Sequence, residues 1–110
     1  MTVQQPIDEI QVITRIARGE QKALSLLYDR YARPIYSLAL KMLNSVEESE
    51  EIVLDVFSQV WRTAKNYNTK RGRVDTWLFM MARSRALDRL RSKQRKATTF
   101  STSHESGEIE

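Results

Sequence analysis

An all-α fold is predicted by three observations on this chain of 110 residues. Apolar residues recur every three to four positions in four successive stretches, only 3 Gly and 2 Pro interrupt them, and helix start and stop signals sit at the seams. The expected architecture is a compact bundle of about four helices. With 41% hydrophobic residues the chain has material for a modest core, and its length bounds it to one domain.

Residues 1–7 read as a disordered lead-in, and the helical domain is expected over 8–96. Asp8 is the expected N-cap of a short helix, 8–18, which carries Ile10, Ile13, Ile16 and Ala17 on one face and ends at Gly19. A longer helix follows over 20–43. Its stripe is Ala23, Leu24, Leu27, Tyr31, Ile35, Leu38, Ala39, Met42 and Leu43. Pro34 interrupts the stripe without shifting its phase, which predicts one helix kinked there, with two joined helices as the alternative. Ser45-Val46-Glu47-Glu48 has the form of a capping box and opens a helix expected over 46–65. At 100° per residue Val46, Val53, Val56, Phe57, Val60 and Ala64 share one arc, Glu47, Glu48, Glu51, Asp55 and Arg62 the opposite one, and Leu54 and Trp61 the shoulder between. Asn66 to Arg73 is a turn-rich loop hinged at Gly72. The last helix, 75–95, is expected to bury Phe79, Ala82, Ala86 and Leu90, leaving Trp77, Met81, Ser84, Arg85, Asp88, Arg91 and Arg95 on its other face. Residues 97–110 are Ser/Thr/Glu-rich and aperiodic, a flexible tail or interdomain linker.

The net charge of +4 averages over a polarised layout. Between Ser45 and Ser58 the ionisable residues are Glu47, Glu48, Glu50, Glu51 and Asp55, a net −5. Between Lys70 and Lys96 ten cations face only Asp75 and Asp88, a net +8. The first segment suits a basic partner and the second a polyanion, the alternative being solvated helix faces. Leu54 and Trp61, beside the acidic face, suit a docking surface for an amphipathic partner helix, or packing against a neighbour. Trp77, at the base of the arginine-rich helix and next to a basic loop, suits stacking on a nucleobase, or filling a gap against the preceding helices. No Cys and a single His in the tail leave little for metal, thiol or acid–base chemistry, so neither an enzyme nor a cofactor is expected. There is no signal-peptide layout and no apolar run near the roughly 18 residues of a membrane span, which predicts a soluble cytoplasmic protein.

The order of these features resembles a known family. Ala-Leu-Ser-Leu-Leu-Tyr-Asp-Arg-Tyr-Ala-Arg-Pro-Ile-Tyr (23–36), Glu-Glu-Ile-Val-Leu-Asp-Val-Phe (50–57) with Val60-Trp61-Arg62, and Thr76-Trp77-Leu78 continuing through Ala-Arg-Ser-Arg-Ala-Leu-Asp-Arg-Leu-Arg (82–91) are similar to region 2 of the extracytoplasmic-function (ECF) sigma factors of bacterial RNA polymerase. The resemblance spans roughly Asp8 to Lys96. It implies a helical domain that docks on the clamp-helix coiled coil of the polymerase β′ subunit, recognises and melts the −10 promoter element by capturing bases of the non-template strand, and is held in check by an anti-sigma factor. It also implies roles for residues. Glu51, Leu54, Asp55, Gln59 and Arg62 fall on the polymerase-docking helix, Tyr67, Asn68 and Arg71 on a base-capturing loop, with Arg73 beside it, and Trp77, Ser84, Arg85, Asp88 and Arg91 on the duplex-reading and melting face. The chain departs from the family where Leu54 replaces a frequent Gln, Ser84 a common Asn and Arg73 a frequent Ser. The segment after Lys96 is also too short for the family's −35-reading domain, which predicts one domain of a longer protein or a short relative. The competing expectation is a helical protein-interaction module without DNA binding.

Overall fold

The structure, a computed structural model, describes residues 8–108 apart from 69 and 71, with side chains as far as 97. The expected lead-in over 1–7 lies outside the described residues. Among the described residues the chain forms α1 (Glu9–Ala17), α2 (Gln21–Leu43), α3 (Val46–Thr63), a 3₁₀ turn at Ala64–Asn66 and α4 (Val74–Glu108), with no strand. The expected all-α architecture holds.

Each junction has a local cause. Asp8 caps α1 by accepting from the Gln11 N–H at 3.2 Å. The helix closes in a Schellman turn: Gly19, at φ +88°, donates to the Ile16 carbonyl and Glu20 to that of Arg15. Asn44 ends α2 in the left-handed conformation, and Ser45 immediately caps α3 through a bond from the Glu48 N–H to its hydroxyl at 3.2 Å. Two residues thus reverse the chain and set α3 beside α2. Pro34 lies inside a single α2, where it cannot donate to the Arg30 carbonyl one turn back.

α2 is the central element and touches α1, α3 and α4, while α3 and α4 also meet along one edge. Ile16, Leu27, Ile35, Ile52, Val56, Val60 and Leu78 are fully buried between them, each contributing about 1.5–3 kcal/mol on removal from water. α1 is pinned to α2 by one carboxylate: Glu9 accepts from the Tyr31 hydroxyl at 2.5 Å and pairs with Arg30 at 2.9 Å. Burial first, and then the adjacent Glu9, push the Tyr31 phenol up to about 12.

Several expected stripes are corrected. α1 buries Val12, Ile13 and Ile16, whereas Ile10 and Ala17 are exposed, because α2 meets the helix on the Val12 side. In α3 Val46 is exposed at the first turn, before the helix reaches its neighbours, while Ile52 and Ser49 are fully buried. The Ser49 hydroxyl is satisfied by the Ser45 carbonyl at 2.6 Å. In α4 the inward residues are Val74, Leu78, Met81, Ala82 and Ala86, with Phe79 and Leu90 only partly covered, so Met81 moves from the outer face to the core. That helix also passes the expected end at Arg95 and continues to Glu108. No Pro interrupts it, and extending an existing helix adds one hydrogen bond for each residue fixed.

Candidate nucleic-acid and protein interfaces

The loop between the 3₁₀ turn and α4 folds back onto the start of α4. Gly72 takes φ +144°, a conformation that a side chain would strain, and its carbonyl accepts from the Tyr67 hydroxyl at 2.7 Å. Asn68 turns its amide oxygen to the Lys70 N–H at 2.9 Å, the local bond that makes Asn a turn residue. The Tyr67 ring then packs on Trp77, with centroids 4.8 Å apart and planes inclined by 49°. Burial, and then Asp75 and Glu9, raise the Tyr67 phenol above its ordinary value, so it is a neutral donor at physiological pH.

Beside that ring pair opens a groove of about 450 Å³, lined by Asn66, Tyr67, Asn68, Gly72, Arg73, Thr76, Trp77 and Met80. It offers aromatic faces for stacking, amide and hydroxyl groups for hydrogen bonds, and a cation at its rim. Arg73 is held there by Asp75 through a two-pronged contact at 3.1 and 3.2 Å. Although burial opposes it, the Thr76 N–H and Arg73 hold the Asp75 carboxyl below its usual range. Tyr67, Asn68, Arg73 and Trp77 therefore come together in one groove, and Arg71 lies outside the described residues. Trp77 is half-buried: part of its surface joins the core, satisfying the packing reading, and part faces the groove, leaving the stacking reading open.

Further along α4, Ser84, Asp88 and Arg91 line its outer side, Arg91 contacting Asp88 at 3.4 Å. Arg85 is placed differently. Its Nε and Nη2 both donate to the Gln59 side-chain oxygen, at 3.0 and 2.9 Å, and it approaches Asp55 at 3.8 Å. It belongs to a ladder of opposite charges between α3 and α4. Arg89 contacts Glu51 at 2.6 Å, Asp55 at 3.4 Å and Glu48 at 3.7 Å, and Lys93 reaches Glu48. The Lys93 contact holds the Glu48 carboxyl below its ordinary value despite partial burial, and Glu51 raises the Arg89 guanidinium. The Glu48 of the expected capping box thus serves α4, while Ser45 alone supplies the cap.

Of the residues expected to meet a protein partner, Glu51, Asp55 and Gln59 are already engaged by α4. Leu54 is 63% exposed and Trp61 37%, so the apolar shoulder faces outward, and Arg62 is exposed with a bond to the Ser58 hydroxyl at 2.8 Å. Beside Leu54 a second groove runs between α2 and α3, lined by Tyr28, Ala32, Arg33, Tyr36, Ser37, Glu50 and Val53. Met80 and the ladder through Arg89 and Lys93 were not singled out by the helical periodicity. Signals for both exist: Met80 follows Trp77 by three positions, and Arg85, Arg89 and Lys93 repeat every four residues against acids spaced by three and four. Among the described residues no cluster of three or more His, Cys, Asp or Glu could hold a metal, and no helix is long and apolar enough to cross a membrane.

Comparison with known proteins bears on the whole arrangement. The Sigma-70 region 2 family model matches residues 27–96. The chain is 38% identical over 88 residues to the ECF RNA polymerase sigma factor SigK of Mycobacterium ulcerans (strain Agy99), covering 79% of this chain and 47% of that protein. It is 35% identical over 83 residues to SigK of Mycobacterium sp. (strain KMS), covering 76% and 43%. It therefore spans less than half the length of these curated relatives. In fold it is similar to an engineered region 2 of sigmaE solved by NMR in complex with GTAAAA, with a TM-score of 0.72 and 23% identity, over 86% of this chain and 97% of that one. The helix order, the loop between the 3₁₀ turn and α4 and the matched residues converge, and the chain belongs to the sigma-70 region 2 family, in its ECF branch.

Proposed function

We propose that the chain is the promoter-recognition module of an ECF sigma factor, which captures a base of the −10 element and docks on RNA polymerase. The observation that carries this reading is the groove walled by Tyr67 and Trp77, with Asn68 within it and Arg73 at its rim. A base leaving the stack costs a few kcal/mol, and stacking on an aromatic wall returns about 1–3 kcal/mol, with phosphate contacts adding to it. The strand captured is the non-template strand. Ser84, Asp88 and Arg91, on the open face of α4, lie where the adjoining duplex runs. Arg85 reaches that duplex only by leaving Gln59. No bond is made or broken in this work, so the module acts by binding.

The partner surface is the α3 side: Leu54 at its centre, Glu51, Asp55 and Gln59 along its edge, and Arg62 at its end, facing the β′ clamp helices. An anti-sigma factor competes for the same apolar shoulder. The sequence GTAAAA, bound by the structural neighbour, supplies a direct probe when used as a single DNA strand. Its binding, followed by fluorescence anisotropy, is expected to weaken with salt, and Trp77→Ala to weaken it on the order of tenfold, several times more than Lys93→Ala. Equal loss in both variants would remove the stacking role, and absence of binding at low salt would remove strand capture altogether.

A further inference from the structure

With no Cys in the chain, the thioethers of 4 methionines are its only sulfurs. Met1 lies outside the described residues, and the other three differ sharply in access. Met80 is 66% exposed, the most exposed of the large apolar side chains described, whereas Met81, the next residue, is 7% exposed in the core, and Met42 is partly buried against it. A step of about 100° along α4 separates the two neighbours, which turns one sulfur to solvent and the other to α2 and α3. The exposed sulfur also stands at the candidate site. Met80 lines the groove beside Trp77 and shares two further hollows with Arg83, the second of them also with Arg91. Arg83 makes no ion pair among the described residues, and Arg91 makes only an exposed one to Asp88, so both can meet phosphates.

Resting on the strand-capture reading above, we propose that Met80 is an oxidation site, at which a peroxide weakens single-strand binding and leaves the fold intact. The sulfur lone pair attacks one peroxide oxygen, the O–O bond breaks as the S–O bond forms, and the departing hydroxide takes a proton to leave as water. The thioether loses two electrons to become a sulfoxide, and the peroxide gains them. The product replaces a flexible apolar wall of the groove with a polar, hydrogen-bond-accepting group that must shed water before a base can lie beside it. Its oxygen also competes with phosphate for the guanidiniums that share its hollows. Both effects lower affinity for the strand. The same oxygen placed on Met81 would disrupt the core, but burial shields that sulfur, so the chemistry falls on the groove and spares the packing. Methionine sulfoxide reductases, one for each sulfoxide epimer, return the thioether and make the change reversible.

The test treats the intact chain with graded hydrogen peroxide, locates sulfoxide by tandem mass spectrometry of its peptides, and follows binding of a single DNA strand carrying GTAAAA on the same samples. Sulfoxide is expected at Met80 at least about fivefold faster than at Met42 or Met81, with affinity falling roughly fivefold in step with Met80 conversion and the melting temperature unchanged. Treatment with both reductases is expected to restore the affinity. Met80→Leu, compared with its own untreated sample, is expected to hold its affinity through the same exposure. Equal oxidation of Met42 or Met81, full conversion of Met80 with unchanged affinity, or an equal fall in the treated Met80→Leu chain each overturns the proposal while strand capture stands. If the untreated chain does not bind GTAAAA, the strand-capture reading itself is overturned, and the effect of oxidation with it.

Discussion

Leu54 and Asp55 are neighbours in sequence with opposite consequences for any test of the docking surface. Leu54 projects from α3 with no polar group to satisfy and little core to support. Asp55 contacts both Arg89 and Arg85, so charge reversal there sets a cation against two guanidiniums and disturbs the α3–α4 edge before any partner is met. Leu54→Arg is therefore the cleaner probe. It is expected to reduce binding to a β′ coiled-coil fragment at least tenfold, by placing a charge where apolar area is buried, and to leave the melting temperature nearly unchanged. Calorimetric titration and a thermal melt check the two halves, and unchanged affinity would refute this placement of the surface. At this scale the sequence was legible where placement needs only position on a helix, as for the exposed Leu54, or a turn, as for Tyr67 and Asn68. Arg85 was not, because a helical wheel places it on an outer face without showing that Gln59 of another helix lies opposite.

Among the elements, α3 and α4 are joined by apolar packing on the inside and by the charge ladder at the rim. Exposed ion pairs individually contribute little, but this set is partly covered and shares its members. Its pH dependence follows from Glu48, whose carboxyl is held below its ordinary value of 4.5 by Lys93. A depressed carboxylate stabilises the fold fully above its unfolded value, and that contribution is lost as pH falls from about 4.5 through the lower folded value. Glu48→Gln is thus expected to lower the melting temperature at pH 7, and the gap from the unaltered chain to shrink as the pH drops below 4.5; a constant gap would mean the pair contributes nothing. Helix existence and order were readable in the sequence because caps, breakers and periodicity agree from Asp8 to Ser45. The phase of α4 was not. Val74, Trp77, Leu78, Phe79, Met80, Met81 and Ala82 together cover most of its circumference, so the wheel allows more than one inward face, and packing against α2 and α3 selects the one through Leu78 and Met81.

For the molecule as a whole, the ladder changes what the +4 charge means. The acidic and basic segments are not two free poles, since Glu48, Glu51 and Asp55 are spent on Arg85, Arg89 and Lys93. The cations left for a polyanion are those beyond this edge, Arg73, Arg83 and Arg91 among them, while Arg85 and Arg89 form a reserve that α3 restrains. Neutralising the restraint should release it. Glu51→Gln with Asp55→Asn is expected to raise affinity for single-stranded DNA and to steepen the dependence of log affinity on log salt by about 0.7 for each guanidinium that moves to a phosphate. Glu47→Gln with Glu50→Gln removes the same amount of charge from exposed positions that make no ion pair among the described residues, and serves as the comparison. If net charge alone governed binding, both double variants would strengthen it equally and with the same slope. A steeper slope confined to the Glu51 and Asp55 variant would show that the edge between α3 and α4 sets how many arginines the DNA receives.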